Sequence, residues 1–253
     1  VAVPAPLHYE VTKKIIESGK SVLVEKPMTL STVTSRELVE LAERKGVQLM
    51  VGHVLLFHPA IRKIKKIIDS GELGNLYYLY SNRLNLGTVR TEENVFWSFA
   101  PHDISVLDYF VGHPAEKIVS KGSKFLQEKV YDVTITQLDY PNNVHAHIFV
   151  SWLHPFKEQR LVVIGSKGMV SFDDATAEKE IKFYDKRIDF EKGIPVKVEN
   201  PTRIIPYEQK QPLSEELKYF IEHLDKKIEI ADGQSGLEVV KVLEEAEKKI
   251  QVG

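Results

Sequence analysis

Val22-Leu23-Val24-Glu25-Lys26-Pro27 is a short apolar run that ends in a carboxylate, an ammonium and a proline. Three aliphatic residues in a row read as a buried strand, and Pro27 stops it because proline has no N–H for a ladder. Working outward, Thr34-Ser35-Arg36-Glu37 has the form of a capping box. It predicts a helix with Leu38, Leu41 and Ala42 inward and Gly46 at its end. Val47–Val51 is a second apolar strand. Upstream, Val1-Ala2-Val3 reads as the tail of another, closed by Pro4 and Pro6. Leu7, Val11 and Ile15 recur at helical spacing before Gly19. This strand–helix–strand–helix–strand alternation predicts a parallel sheet. In such a sheet a lysine at the carboxyl end of a strand points into the crevice where ligands bind. Three strands leave the sheet half uncovered. A doubly wound dinucleotide domain needs about two more βαβ units of roughly 30 residues each. The expectation is therefore that an N-terminal part of that domain precedes Val1.

From His58 the pattern changes. Ile61, Ile64 and Ile68 share a face of a helix over Pro59–Asp69, ended by Gly71 and Gly74. Leu76–Asn82 is strand-like, a loop with Gly87 leads to Trp97, and a helix is expected from near Pro101 to Gly112. Lys117–Lys121, Val133–Tyr140, Val144–Trp152, Arg160–Ile164, Met169–Asp173 and Ile181–Tyr184 read as successive strands of a mainly antiparallel sheet. Pro195 to Pro206 reads as irregular. Two helices close the chain, one placing Leu213, Leu217, Phe220 and Leu224 inward, the other Val239, Leu243, Ala246 and Ile250. The expected class is α/β plus α+β: a partial Rossmann domain over 1–54, an α+β substrate and oligomerisation domain over 55–230, and a helix over 231–253 that packs back on the first.

Composition narrows the function. The 253 residues carry 34 basic and 36 acidic side chains, a net charge of −2, which gives no pull toward nucleic acid or anionic membrane. No apolar run approaches the roughly 18 residues of a membrane helix. Cysteine is absent, so disulfides, thiol nucleophiles and zinc–thiolate sites are excluded. A cytoplasmic setting is the simplest expectation.

Two residues carry the chemistry. Lys26 is a cation at the crevice, suited to stabilising an oxyanion or lowering the pKa of a hydroxyl. His102, in Trp97-Ser98-Phe99-Ala100-Pro101-His102-Asp103, titrates near neutral pH and can take a proton from an alcohol. Placed at a helix start, it would be kept neutral by the helix dipole. Pro4-Ala5-Pro6-Leu7-His8, Glu17-Ser18-Gly19-Lys20-Ser21-Val22 and Glu25-Lys26-Pro27, in this order and spacing, resemble the end of the dinucleotide-binding domain of the Gfo/Idh/MocA oxidoreductases. Trp97–Asp103 resembles the family's second motif, whose histidine opens a helix and faces the lysine. The family pattern has an acid four residues before that histidine, where this chain has Ser98.

The resemblance implies NAD or NADP as cofactor, with Pro6, His8, Glu25, Lys26, Pro27 and His53 against it. It implies Lys26 and His102 as catalytic residues, and Lys26, Arg83, Asn85, Trp97 and His102 against the substrate. His53-Val54-Leu55-Leu56-Phe57-His58-Pro59, Ser70–Gly74 and Arg83–Gly87 resemble the branch that oxidises C3 of UDP-N-acetylglucosamine or its uronate. A homo-oligomer through the open sheet face, with Phe149 and Trp152 on it, is also implied. The rival expectations are another sugar or polyol dehydrogenase, or a non-catalytic fragment or binding protein, since no G-x-G-x-x-G run occurs in these residues. His145 and His147 share a strand face but lack a third metal ligand. Gly165-Ser166-Lys167-Gly168 reads as a hairpin turn, and Arg62–Lys66 as a solvated helix face.

Overall fold

A computed structural model describes residues 1–252. The amino group of Val1 donates to Leu23 O at 2.6 Å, and Glu25 N donates to Val1 O at 2.9 Å. Bonds to residues on either side of one partner are the signature of a parallel ladder. The Val1–Val3 tail therefore runs beside β1 (Val22–Glu25), and β1 pairs in parallel with β2 (Leu49–Gly52). Helices α1 (His8–Glu17) and α2 (Thr32–Lys45) make the crossovers. The cap of α2 is Ser31, three residues before the expected Thr34; its hydroxyl accepts from Thr34 N. The buried face of α1 is His8, Thr12 and Ile16, one residue on from the expected Leu7, Val11 and Ile15. The His8 ring decides this rotation, because its two nitrogens lie 2.7 and 2.8 Å from Pro27 O and Val3 O.

After α3 (Pro59–Asp69) the chain builds a nine-stranded sheet. Its strands are β3 (Leu76–Leu84), β4 (Lys117–Ser123), β5 (Val133–Tyr140), β6 (Val144–Ser151), β7 (Glu158–Gly165), β8 (Met169–Asp173), β9 (Ile181–Tyr184), β12 (Arg203–Ile205) and β13 (Gln251–Val252). The spatial order is β12-β9-β8-β7-β3-β6-β5-β4-β13. Only β3–β6 and β4–β13 are parallel, so the sheet is mainly antiparallel, as its period-2 sequence predicts. Ser166 and Lys167 form the β7–β8 turn, closed by Gly165 N to Gly168 O. The stretch expected to be irregular is partly regular. β10 (Lys186–Glu191) and β11 (Ile194–Glu199) form a separate antiparallel ribbon, and β12 joins the sheet edge.

One sheet face is covered by α4 (Val95–Val111) and α6 (Gly233–Lys249). Leu138, Ala146, Ile148 and Val150 are buried under them, while Ile135, Gln137 and His147 point to the open face. Trp152 is not on that open face: it follows the covered parity of Ile148 and Val150, is wholly buried and meets Phe99 edge-on, and its N–H extends the ladder to Asp132 O. Helix α4 starts six residues earlier than its proline suggests. Asn94 Oδ1 accepts from Phe96 N and Trp97 N, and that cap carries the helix through Pro101. Helix α5 (Pro212–Glu222) keeps only part of its expected face: Phe220 is half-buried against the core, while Leu224 lies past its end and is exposed. Leu213 and Leu217 are about half exposed and Glu216 is buried, since α5 rests on the Val54–Phe57 turn through Tyr219 against Phe57. Among the described residues no helix is long and apolar enough to cross a membrane.

Helix α6 reaches across both parts. A Cβ added at Gly233 would crowd Leu49, and one added at Gly236 would run into Val51 on β2. Gly236→Ala is expected to destabilise the fold by about 1–3 kcal/mol through overpacking. At this chain length that lowers the melting temperature by about 2–4 °C per kcal/mol, measurable by circular dichroism. An unchanged melting temperature would show that α6 can back away from β2 at no cost.

Candidate active site

The ladder that pairs Glu25 with Gly52 sets the next residues of each strand, Lys26 and His53, side by side at the carboxyl end of the parallel sheet. Helix α4 comes to meet them. Lys26 Nζ donates to Ser98 O at 2.9 Å, one turn before His102 on the same helix. The Lys26–Pro27 peptide is cis. The acid expected four residues before His102 is absent, and the lysine uses the main-chain carbonyl of that residue instead. That contact does not depend on which side chain stands at 98.

His102 sits in mid-helix, so the helix-terminus argument for its neutrality does not apply. Its pKa lies well below the ordinary value for a different reason: burial first, then the positive charges of Lys26 and Arg83. Its Nδ1 is buried without a partner. His53 is buried and its pKa is pulled down to about 3 by burial and by Lys26, with neither ring nitrogen hydrogen-bonded. Two neutral imidazoles thus flank one ammonium. Burial lowers the pKa of Lys26 as well, against the opposing pull of Glu93.

Two clefts meet at Lys26. One, of about 310 Å³, includes Lys26, Arg83, Asn85, Arg90, His102 and Lys157 in its walls. The other, of about 540 Å³, includes Pro6, His8, Glu25, Lys26, Pro27 and Arg90. The sequence-derived residues therefore divide. Lys26, Arg83, Asn85 and His102 come together in the first cleft. Pro6, His8, Glu25, Lys26 and Pro27 line the second. His53 lies buried behind Lys26 and lines neither. Trp97 is placed away from both: its indole Nε1 donates to Glu247 Oε2 at 3.0 Å, where Asn94 also binds, so it fastens α4 to α6.

His8 contributes a ring edge, its nitrogens being taken up by Val3 O and Pro27 O. Arg83 holds Asp103 through two bonds of 2.9 and 3.0 Å, and Ser81 bonds the same carboxylate at 2.7 Å. Asp103 thus points away from Lys26, as its position next to His102 on a helix requires. Arg90 and Lys157 were not singled out from sequence. They reach the cleft from a loop and from the residue before β7, and nothing in their local sequence marks them.

The second cleft fits the nicotinamide end of a dinucleotide. It lies at the carboxyl ends of parallel strands, and one cation stands between it and the neighbouring cleft. The glycine-rich turn that binds a pyrophosphate is not among these residues.

Comparison with known proteins agrees with this geometry. Residues 1–53 match the model of the oxidoreductase family with an NAD-binding Rossmann fold, and residues 61–171 match the GFO/IDH/MocA C-terminal domain. A scyllo-inositol 2-dehydrogenase (NAD+) of Bacillus subtilis is 25% identical over 67% of this chain and 53% of its own length. A D-xylose 1-dehydrogenase [NADP+] of Haloarcula marismortui is 25% identical over 94% of this chain and 68% of its own length. The chain spans about half the length of the first curated relatives it matches. The structure of a UDP-N-acetylglucosamine 3-dehydrogenase from Acidithiobacillus ferrooxidans superposes with a TM-score of 0.84, at 20% identity, over 98% of this chain and 77% of that one. At that identity the likeness is one of fold. The chain belongs to the Gfo/Idh/MocA oxidoreductase family, whose cofactor is NAD or NADP.

Asp103→Ala would leave the Arg83 guanidinium buried without its counter-ion. The expected loss is about 3–5 kcal/mol of stability, read as a lower urea midpoint. An unchanged midpoint would mean that Arg83 finds water or another partner.

Proposed function

We propose that this chain forms the substrate side and part of the cofactor side of an NAD- or NADP-dependent dehydrogenase acting on a sugar hydroxyl. The observation that carries the reading is Lys26, shared by both clefts and anchored one turn from His102. When bound, the nicotinamide supplies the hydride acceptor. The residues of this chain do the rest. His102, neutral because it is buried beside cations, takes the hydroxyl proton. Lys26 faces the oxygen from which that proton leaves and stabilises its growing negative charge. The carbonyl of Ser98 limits where the ammonium can go, which keeps it at the junction of the clefts. His53 keeps the region behind Lys26 dry and uncharged.

The finer proposal is oxidation at C3 of a UDP-N-acetyl sugar. It is supported by the sequence likeness around His53–Pro59 and Arg83–Gly87. Arg83 spends two of its three nitrogens on Asp103, so Asn85 becomes the more available group for an acetamido or hydroxyl contact. A second reading, a polyol or other sugar as substrate, is favoured by the scyllo-inositol and xylose dehydrogenases among the relatives. Titration with NADH followed by nicotinamide fluorescence, then turnover with UDP-N-acetylglucosamine, scyllo-inositol and D-xylose, separates these. No NADH binding at millimolar concentration would favour a substrate domain that does not act by itself.

We further propose a cytoplasmic enzyme that pairs with a second copy through the open sheet face. Val119 on β4 and Ile135 on β5 are about half exposed there, beside Phe149 on β6. Ile135→Asp is expected to halve the mass measured by light scattering after gel filtration. A monomeric parent chain would rule the pairing out.

His102→Asn is expected to lower kcat by about 10²- to 10⁴-fold with little change in NADH affinity. The acid limb of kcat/KM should lie well below pH 6.5. His102 stays in its proton-accepting form above its depressed pKa and loses it only as pH falls through that value. An acid limb centred near 6.5 would assign the base to a different, solvated group.

A further inference from the structure

Glu216 lies on the inner side of α5 with 1% of its surface exposed, and among the described residues nothing bonds its Oε1. A carboxylate buried without a partner is costly once it carries charge. The nearest charge to act on it is another acid, Glu25 at the end of β1. The Glu25 carboxylate lies over Gly52, where a side chain would crowd it. Gly52 leads through His53 into the Val54–Phe57 turn, and α5 rests on that turn. Burial first, then Glu25, raise the pKa of Glu216 to about 7, and no cation opposes them. The other titratable and charged groups at this seat are engaged elsewhere. His53 is held neutral. Arg62 on α3 gives its Nε to Leu56 O, and its guanidinium stands 4.9 Å from the Phe57 ring and 5.7 Å from that of Tyr219. The Tyr219 hydroxyl accepts from Glu229 N and Ile230 N, and His223 stacks on the Tyr219 ring.

The outer side of α5 adds no grip, because Leu213, Leu217 and Ile221 are exposed there. We infer that α5 is a pH-operated latch, seated on the Val54–Phe57 turn while Glu216 is neutral and lifted when Glu216 ionises. The direction follows from the proton. Lifted, Glu216 is a solvated carboxylate that titrates near 4.5; seated, it keeps its proton up to about 7. Lifting therefore releases a proton and is favoured as pH rises. The lifted population is constant below about pH 4.5, grows up to about tenfold per pH unit between there and 7, and is constant again above, a span of about 300-fold. Lifting uncovers Phe57 and loosens the turn that starts beside His53, whose ring lies behind Lys26. Glu25, the acid that acts on the latch, is also on the wall of the 540 Å³ cleft. The latch makes the dryness behind Lys26 depend on pH, whatever substrate the neighbouring cleft takes.

The test is amide hydrogen exchange read by mass spectrometry between pH 5 and 8, expressed as protection relative to the intrinsic rate at each pH. Peptides covering α5 should lose protection by about tenfold per unit up to pH 7 and then level off, while peptides of α2 change far less. Glu216→Gln keeps the shape of the seated, neutral side chain. It should make α5 protection independent of pH and at least as high as in the parent at pH 5. Glu25→Gln removes the repulsion, so the loss should level off at lower pH; this variant carries the test if Glu216→Gln does not fold. His223→Gln is the control for the second titratable group on the helix, and the pH dependence should survive it. Protection of α5 that does not vary with pH, a slope that persists in Glu216→Gln or is lost in His223→Gln, or an equal loss in α2 would overturn the latch.

Discussion

A single ammonium group joins two regions of the chain 72 residues apart. Lys26 leaves the end of a parallel strand and is held by the carbonyl of Ser98 in the middle of α4. A lysine taken out of water needs donors satisfied and charge balanced. Here one donor is satisfied by backbone, and the balance is left to groups at the mouth of the site, Glu93 among them. This arrangement forces the carboxyl end of the parallel sheet against α4, and with it brings His53 and His102 to the same place.

The junction is braced from behind. Glu247 on α6 accepts from Asn94, which caps α4, and from the indole of Trp97 on its first turn. The same helix lies close on β2 through Gly233 and Gly236. Helix α6 therefore spans the two halves and sets the distance between the strand that carries Lys26's neighbour and the helix that carries His102. Because α4 is capped by Asn94 and runs through Pro101, its carbonyl at Ser98 and its imidazole at His102 lie one turn apart on one rigid element. A helix beginning at Pro101 would have left Ser98 in a loop.

Electrostatic asymmetry follows from burial. The histidines near Lys26 are held neutral, so the unfolded chain binds protons there first and acidification below about 6.5 weakens the fold. Asp108, raised to about 8 by burial, and Glu216, raised to about 7 by burial and by Glu25, act in the opposite sense. Those two stay protonated in the fold and cost stability as pH rises from the carboxylate range toward their raised values. In the interior Arg83 keeps its charge against Asp103, while burial favours the neutral forms of Asp108 and Glu216.

What the sequence determined by itself was local. Apolar runs, proline stops and turn glycines mark β1, α2, β2 and the strand series from Lys117 to Tyr184, because period and punctuation are properties of neighbouring residues. The motifs around Glu25-Lys26-Pro27 and His102 pointed to two residues that the fold brings to one cleft, although they lie far apart in sequence. Tertiary structure decided what depends on partners distant in sequence. It turned α1 so that His8 rather than Leu7 is buried, because the acceptors for that ring are Val3 O and Pro27 O. It set Leu213 and Leu217 outward, since the site under α5 takes Tyr219 and Glu216. It moved Trp97 from the cleft to Glu247, and it brought Arg90 and Lys157 to a site that no spacing could assign to them. Periodicity says that a helix has an apolar face. Which face meets protein is settled by the shape and the unpaired polar groups of whatever lies opposite.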